Sequence, residues 1–196
     1  NNDFDWSLNT GVTPSSNTGP SNAYEGDYYA YTEASGSNHP FKNSTIYRDS
    51  INLSLYTNVP GFTFWYHMFS NNGSGTMGTL NVDISTDGGS TWTNLWSKSD
   101  NQGDQWYLAE IDLSSYSGYV SVRLHAVTGN AWGSDIAIDL LEFKDLQPAF
   151  NISSFLDYLW SSGDTTRNIS NLTAGTYTVE YTDCNGCVGY DTAIVV

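Results

Sequence analysis

Apolar and polar side chains alternate along most of this chain with a period of two residues. The clearest case is the segment 80–85, where Leu80, Val82 and Ile84 occupy every second position. Successive side chains of a β-strand point to opposite faces of the sheet, so the pattern predicts a strand with one buried and one solvated face. The residues expected to face solvent are Asn81, Asp83 and Ser85.

The same pattern recurs along the chain and predicts a sheet-rich fold. The predicted strands lie at 3–6, 28–35, 46–55, 62–69, 80–85, 91–96, 106–113, 120–125 and 136–140. Segments rich in Gly, Pro, Asn and Ser separate them, as turns and loops require. Strands this frequent, without a helical period, indicate an all-β sandwich.

Some large side chains are expected in the core of this sandwich. The segment 62–69 is almost wholly apolar or aromatic, which predicts cover on both of its faces. The other residues expected in the core are Trp92, Trp106, Leu108, Ile111 and Leu113, together with His67 as a histidine whose hydrogen bonds are satisfied.

Five motifs, in order, resemble those of the MAM domain family. The first is the stretch 1–35, in which DFDW (3–6), TPSSNTGPS (13–21) and YYAYTEAS (28–35) follow one another. The others are FWYHM (64–68), GTL (78–80) followed by DGGSTW (87–92), GDQW (103–106) and TGNAWGSDIAID (128–139). MAM domains usually begin with a strand that carries a Phe-Glu pair, whereas this sequence starts at the motif after it. The resemblance covers about residues 1–145 and implies a jelly-roll β-sandwich with a role in adhesion or protein contact.

The last 47 residues or so carry a different set of motifs. The segment KDLQPAF (144–150) has the composition of a linker. We therefore expect a first domain at 1–145, a linker at 146–150 and a second module at 151–196. The motifs at 158–163, 169–172, 174–179 and 182–187 resemble the C-terminal half of a SprB-type repeat. Such repeats are small immunoglobulin-like β modules of bacterial surface and secreted proteins, best known from the Bacteroidetes.

The charge of the chain narrows the possible partners. The 6 Lys and Arg residues stand against 21 Asp and Glu residues, which gives a net charge of −15. Nucleic acid is not expected as a partner, because binding it requires clustered cations. No stretch approaches the roughly 20 apolar residues of a membrane span, so we expect no membrane insertion. Divalent cations are the partners that this negative charge favours. The protein is expected to be secreted or at the cell surface.

Acidic side chains of the first domain are candidate ligands of a structural cation. The resemblance implies one cation where the first and last strands of the jelly roll meet. Carboxylate and carbonyl oxygens are ligands for calcium, with sodium as the alternative. The candidates are Asp5, Glu33 and Asp139, from a wider acidic group that includes Asp3 and Asp135. The alternative interpretation is that these residues are surface acids or turn caps.

Exposed aromatic rings are candidates for binding a ligand. Trp132 lies in a loop between Gly129 and Gly133, and Tyr24 and Tyr107 are further candidates. Sugar-binding modules stack pyranose rings on such side chains, whereas the alternative interpretation is that they belong to the core.

Neither the histidines nor the cysteines indicate a catalytic site. The sequence contains no Gly-x-Ser-x-Gly elbow, no His-Glu-x-x-His pair and no phosphate-binding loop. Cys184 and Cys187 are expected to form a local disulfide across an Asn-Gly turn, with a redox site or half a zinc site as alternatives. We therefore do not expect an enzyme.

Together these observations predict a non-catalytic extracellular module for binding or adhesion, within a larger secreted or surface bacterial protein. Its expected partner is a polysaccharide or an extracellular protein. The alternative is a carbohydrate-binding module appended to a polysaccharide-degrading enzyme, which an exposed aromatic platform would favour.

Overall fold

The computed structural model describes residues 2–71, 77–146, 157–182 and 188–196. The chain forms two compact units, Asn1–Gln147 and Pro148–Val196. Within the described ranges, no helix has the length and apolar character needed to cross a membrane.

The described residues of the first unit form nine strands. They are β1 (Ser7–Asn9), β2 (Tyr29–Thr32), β3 (Asn43–Asn52), β4 (Val59–Met68), β5 (Thr79–Ser85), β6 (Thr93–Ser99), β7 (Tyr107–Asp112), β8 (Tyr119–Val127) and β9 (Ile136–Leu146). A short 3-10 turn, Leu53–Leu55, follows β3. All pairings between these strands are antiparallel.

Two sheets enclose the core of the first unit. One has the order β1-β2-β9-β4-β7 and the other the order β3-β8-β5-β6. A single cluster of buried side chains lies between them, with Phe64, Met68 and Ile138 from the first sheet and Leu80 and Val82 from the second. The predicted all-β sandwich is confirmed.

Strand β7 shows how strictly the alternation of side chains applies. Ala109 and Ile111 are buried in the core, and Leu113 directly after the strand is buried as well. Trp106 and Leu108 occupy even-numbered positions, so they lie on the opposite face, where Leu108 is 45% exposed. The prediction that Trp106 and Leu108 belong to the same core is wrong, because a strand cannot direct even and odd positions to one face.

The predicted strand at 3–6 is also wrong, because the first strand begins at Ser7. Residues before it follow the edge of β3. The Asp3 N–H donates to the Asn43 carbonyl, and the Asn43 N–H donates to the Asp3 carboxylate, each over 2.8 Å. The Asn2 amide binds both backbone groups of Thr45. Asn2 and Asp3 thus provide hydrogen-bond partners for the backbone of β3, as a neighbouring strand would.

Strand β9 is longer than the alternation of its first residues predicts. It continues to Leu146 and pairs with β4 up to Val59, while Phe143 stacks on Phe62 with ring centroids 4.6 Å apart. Lys144, which begins the linker-like segment, therefore lies within a strand, as does Leu146 from the predicted linker. The remaining linker residues, 147–150, lie outside the described residues.

The second unit contributes one antiparallel sheet with the order β10-β11-β12. Its strands are β10 (Asp157–Trp160), β11 (Gly175–Thr182) and β12 (Val188–Val195). Val179 is the one buried hydrophobic side chain among the residues that are described here. Cys184 and Cys187, and with them the expected disulfide, lie outside the described residues.

Candidate functional site

Part of the outer face of the five-stranded sheet is covered. Tyr29 and Tyr31 of β2 are buried together with Ala137 of β9, and Trp106 packs against them. The Tyr29 and Trp106 rings meet edge to face, with centroids 6.0 Å apart. The Tyr29 hydroxyl donates to the Gly11 carbonyl over 2.8 Å, which ties the cluster to the loop between β1 and β2.

His67 lies on this covered face rather than in the core between the sheets. Its side chain is 2% exposed, and its Nε2 lies 3.2 Å from Asp104 Oδ1. Nδ1 is buried and has no hydrogen-bond partner among the described residues, so the prediction that the hydrogen bonds of His67 are satisfied is wrong. Burial lowers the pKa of His67, against the opposing effect of Asp104. The imidazole is therefore neutral at pH 7.

The loop that supplies the cover is held by short polar contacts. The Thr13 hydroxyl donates to the Thr18 carbonyl over 2.8 Å. Gly19 has a φ of +60°, and a Cβ there would lie 2.5 Å from the Thr13 side chain, so the position requires glycine. The Thr18 hydroxyl donates to Asp135 over 2.6 Å and fixes the loop to the residue before β9.

The outer face of the four-stranded sheet presents a different surface. Strand register places polar and aromatic side chains in two rows that cross β3, β8, β5 and β6. One row consists of Tyr47, Arg123, Asp83 and Asn94. The neighbouring row consists of Thr45, His125, Asn81 and Ser97.

Hydrogen bonds connect these rows into one network. Arg123 Nε donates to Asp83 Oδ2 over 2.8 Å, and Asn94 Nδ2 donates to Asp83 Oδ1 over 2.9 Å. The Ser97 hydroxyl lies 2.7 Å from Asn81 Oδ1 and 3.1 Å from Asn94 Oδ1. The side chains joined by these bonds are therefore held in one orientation, as a preformed binding surface requires.

Asp83 accepts hydrogen bonds from both Arg123 and Asn94, and it is more buried than the alternation predicts. The alternation predicts that Asp83 and Ser85 face solvent, yet they are 6% and 2% exposed. Both side chains lie on the outer face. Arg123 and Asn94 donate hydrogen bonds to Asp83 and cover it, and the Gly89 N–H in the turn after β5 donates to the Ser85 hydroxyl. The sequence pattern predicts which face of the sheet each side chain occupies, whereas its burial depends on residues of neighbouring strands and loops.

Trp92 forms one wall of the open face. The guanidinium carbon of Arg123 lies 4.4 Å from the centroid of the Trp92 ring, at the distance of a cation–π contact. The Trp92 Nε1–H donates to the Gly89 carbonyl over 3.1 Å. Trp92 is half-buried in this position and does not belong to the core between the sheets, so its prediction as a core residue is wrong.

The turn before Trp92 is rigid because Asp87 accepts several hydrogen bonds. The Thr91 hydroxyl, the Thr91 N–H and the Ser85 hydroxyl all donate to it, over 2.7–2.8 Å. These donors lower the pKa of Asp87 to about 2, so the carboxylate stays ionised through the neutral range. The turn thereby fixes the position of the Trp92 ring.

A cavity of about 530 Å³ opens on this face of the sheet. Its lining residues are Asn2, Thr45, Tyr47, Asp49, Gly88, Gly89, Trp92 and Arg123. The volume lies within the usual range for small-molecule sites. Tyr47 is 67% exposed beside it, so its ring is available for contact.

The candidate aromatic residues lie at three other places. Tyr24 is 42% exposed and stacks on Trp65, with centroids 3.7 Å apart, on the outer face of the five-stranded sheet. Tyr107 is half-buried, stacks on Tyr66 and donates to the Gln102 carbonyl over 2.7 Å. Trp132 is 36% exposed in the loop between β8 and β9. The structure therefore does not bring them together into one platform.

The candidate metal ligands are likewise separated. Asp5 is exposed and contacts the Asn2 amide. Asp139 accepts the backbone N–H groups of Tyr24 and Glu25, which makes it a cap for the loop that covers the sheet. Among the described residues, no group of three or more His, Cys, Asp and Glu side chains is arranged to hold a metal ion.

Glu33 instead lies near Asp135. Asp135 is fully buried and accepts the Ala34 N–H over 2.9 Å and the Thr18 hydroxyl. Burial raises the pKa of Asp135 to about 6, and the charge of Glu33 contributes in the same direction. Glu33 Oε1 accepts from the Ser15 hydroxyl and from the Ser35 N–H. Its Oε2 is buried and has no hydrogen-bond partner in the part of the chain that the structure describes.

Sequence reasoning missed the residues of the open face. The alternation of β8 and β5 places Arg123 and Asp83 on outer faces, which was a usable signal. Nothing in the sequence shows that Arg123 lies beside Asp83 rather than beside another strand, because that depends on register. Tyr47 was equally hidden, since only pairing with β8 brings it next to Arg123.

Comparison with known families identifies the first unit. The MAM domain family (meprin/A5/mu) matches residues 1–147. The chain belongs to the MAM domain family. The earlier resemblance over residues 1–145 is thereby confirmed.

Two curated proteins are similar to this chain. Neuropilin-1a of Danio rerio is 29% identical over 147 residues, which is 72% of this chain and 15% of that protein. The human MAM domain-containing glycosylphosphatidylinositol anchor protein 1 is 30% identical over 149 residues, with the same coverage of 72% and 15%. The chain thus spans about 15% of the length of these relatives.

Two solved structures are similar to this chain. TmCBM61 in complex with beta-1,4-galactotriose is 15% identical, with a TM-score of 0.42 over 72% of this chain and 88% of that one. A cleaved adhesin domain of Lys-gingipain from Porphyromonas gingivalis is 17% identical, with a TM-score of 0.47 over 74% and 86%.

Proposed function

We propose that this MAM domain is a non-catalytic extracellular binding module whose ligand site is the open face of the four-stranded sheet. The observation that carries the proposal is the cavity of about 530 Å³ between Tyr47, Trp92 and Arg123. Membership of the MAM family and the surface-anchored relative named above support a binding role outside the cell. The larger protein to which the module belongs is proposed to be a secreted or surface bacterial protein.

The chemistry of the cavity favours a saccharide over a flat protein surface. An exposed tyrosine ring offers an apolar face, and fixed guanidinium, carboxylate and amide groups surround it. Small-ligand sites combine such surfaces with a few placed polar groups. Protein interfaces, in contrast, are broad and have an apolar centre from which charged residues are depleted. The carbohydrate-binding alternative is therefore the form of the proposal that the site supports best.

The test is binding to a panel of soluble polysaccharides by affinity gel electrophoresis, followed by calorimetry. Arg123→Ala and Tyr47→Ala should each weaken retention at least tenfold, because they remove hydrogen-bond donors and a stacking face. Trp132→Ala is the matched aromatic control on the same unit and should bind as the wild type does. Thermal melts of each variant establish that it is folded.

Loss of binding in Trp132→Ala alone would overturn the assignment of the site. Binding unaffected by any of the three substitutions would place the ligand elsewhere. If no saccharide of the panel is retained, the carbohydrate-binding role fails, and the adhesion role is tested next with extracellular proteins.

We further infer that a structural cation, with calcium as the first candidate, binds beside Glu33 and Asp135. A buried carboxylate oxygen without a partner, next to a second buried carboxylate, supports this inference. Hard oxygen donors of this kind suit calcium. Asp5 and Asp139, the other candidate ligands, bond to other groups.

Melting temperatures in EDTA and in millimolar calcium test the cation. A cation that binds only the native state raises the melting temperature in proportion to the logarithm of its concentration. Glu33→Gln should abolish that rise, whereas Asp139→Asn should retain it. Equal melting of the wild type in EDTA and calcium would contradict the inference.

The second unit is proposed to be an immunoglobulin-like module of the SprB type. Strand β10 and the turn after it carry the motif at 158–163, and β11 begins in the motif at 174–179, which supports the proposal. Calorimetry of the whole chain should then show two unfolding transitions. A single cooperative transition would contradict an independent second module.

A further inference from the structure

The arrangement of donors and acceptors around the cavity carries information about the ligand. Arg123 is fixed on two sides, by Asp83 through Nε and by the Trp92 ring through its planar face. Within the described part of the chain, that ion pair uses only Nε. The two Nη groups of this cavity-lining residue are thus left as a rigid pair of donors.

Acceptors line the same cavity. Asp49 and Tyr47, both exposed on β3, line it together with Arg123. A carboxylate accepts hydrogen bonds and a guanidinium donates them. A ligand that satisfies both must offer hydrogen-bond acceptors and donors within a short distance. Neighbouring hydroxyl groups of a sugar ring do both at once, because each hydroxyl is a donor and an acceptor.

The charge of the site argues against an anionic ligand. One guanidinium, that of Arg123, stands against the carboxylates of Asp83 and Asp49. His125 adds no positive charge, because burial and the neighbouring Arg123 lower its pKa, so its imidazole is neutral at pH 7. The immediate surroundings therefore carry a net negative charge, within a chain whose net charge is −15. A carboxylated sugar would approach against this field.

The geometry points to a neutral saccharide as the ligand, bound by stacking on Tyr47 with adjacent hydroxyls between Arg123 and Asp49, and to rejection of uronates. This inference rests on the proposed carbohydrate-binding function. It adds the class of sugar and assigns Asp49 as the residue that excludes the anionic class. Asp49 acts through its charge, at an exposed position on β3.

Matched probes separate the two classes. For the polysaccharide retained in the panel, calorimetry compares its neutral oligosaccharide with the uronate oligosaccharide of the same length and linkage, and with the methyl ester of that uronate. The neutral sugar and the methyl ester should bind alike, and the free uronate at least tenfold more weakly. The weak binding of the uronate should improve with salt, since screening reduces repulsion between exposed charges.

Substitution of Asp49 tests the residue itself. Asp49→Asn should strengthen uronate binding severalfold while it weakens the neutral sugar, whose hydroxyl loses a charged acceptor. Asp27→Asn is the matched control, since it changes the net charge equally at an exposed position of the covering loop. Arg123→Lys should weaken the neutral sugar about tenfold, because an ammonium group lacks the paired donors of the guanidinium.

The outcomes are distinct. Selective binding of the neutral probe, relaxed by Asp49→Asn and not by Asp27→Asn, supports the inference. Equal or tighter binding of the free uronate overturns it but leaves the carbohydrate-binding function standing. Equal relaxation in both Asn variants also overturns it, because selectivity would then come from the net charge of the chain. Absence of binding to every probe overturns the proposed function itself.

Discussion

The two outer faces of the sandwich are built from the same alternating pattern but end in different environments. On the five-stranded sheet, the loop between β1 and β2 covers Tyr29 and Tyr31, and their rings pack with Trp106. On the four-stranded sheet, the outward side chains stay open and bond to one another. Because the strands are alike in pattern, the difference comes from which face a loop crosses.

The two faces differ in what their side chains contribute: those of the covered face to stability, and those of the open face to the proposed binding. Aromatic rings on the covered face are removed from water and contribute to the free energy of unfolding. The aromatic ring of Tyr47 on the open face contributes little to it, so this position is free to vary with the ligand. We expect substitutions on the covered face to reduce stability and those on the open face to reduce binding.

The largest effect is expected from Tyr29→Ala on the covered face. Tyr29 is 1% exposed, and the substitution leaves a cavity under the loop. Truncation of a buried aromatic side chain costs about 3–5 kcal/mol, so the free energy of unfolding in urea should fall by that amount. A loss below about 1 kcal/mol would show that the loop does not bury this face in solution.

The pH dependence of stability should reveal Asp135, which anchors the covering loop. Its folded pKa of about 6 lies above the ordinary 3.8. The folded state therefore binds more protons between these values, and stability falls as the pH rises from about 4 to about 6. The loss from this residue is about 3 kcal/mol at 1.4 kcal/mol per pKa unit. Urea denaturation in EDTA at pH 4 and pH 7 measures it, because a bound cation would favour the ionised form of Asp135.

Asp135→Asn is the control for that measurement. The amide cannot ionise, so the difference between wild type and variant isolates this one residue from the other acids. The variant should lose less stability than the wild type over the same pH range. Identical pH profiles for the two proteins in EDTA would contradict a raised pKa.

A smaller effect is expected from Asp83→Ala beneath the open face. Asp83 is almost fully buried, but Arg123 keeps 27% of its side chain exposed and can recover hydration. The free energy of unfolding should fall by about 1–2 kcal/mol, below the cost of breaking a fully buried pair. Ligand affinity should fall as well, because Arg123 loses its orientation. Unchanged affinity would mean that the Trp92 ring alone positions the guanidinium.

The smallest effect on stability is expected from Tyr47→Ala, the counterpart of Tyr29→Ala on the other sheet. Tyr47 is 67% exposed, so the free energy of unfolding should change by no more than about 0.5 kcal/mol. Saccharide affinity should nevertheless drop at least tenfold. A stability loss similar to that of Tyr29→Ala would remove the distinction between the two faces.

Most of the architecture could be read from alternation and turn residues. The strands around Leu80 and Val122 follow from every second position being apolar, and Asp87-Gly88-Gly89 predicts the turn between β5 and β6. The predictions of burial were wrong where the burial of a side chain depends on segments distant in the sequence. Leu108 is exposed because its side of β7 is not crossed by another layer, and Asp83 is buried because Arg123 and Asn94 extend over it.

The candidate site was harder to predict than the fold. The aromatic residues chosen for their loops, Trp132 and Tyr24, lie away from the cavity, and the acids chosen for a cation were dispersed among caps and turns. A glutamate with an unpartnered buried oxygen could be recognised only once its surroundings were known.

The sequence by itself determined that this is an all-β MAM domain with a second, smaller module and a strongly negative charge. Each of these properties depends on local pattern, composition or motif order. The tertiary structure alone decided that Tyr47, Arg123, Asp83 and Asn94 form one row and that a loop covers the opposite sheet. The physical reason is that strand register and loop path depend on contacts between residues far apart in the chain, which no local pattern encodes.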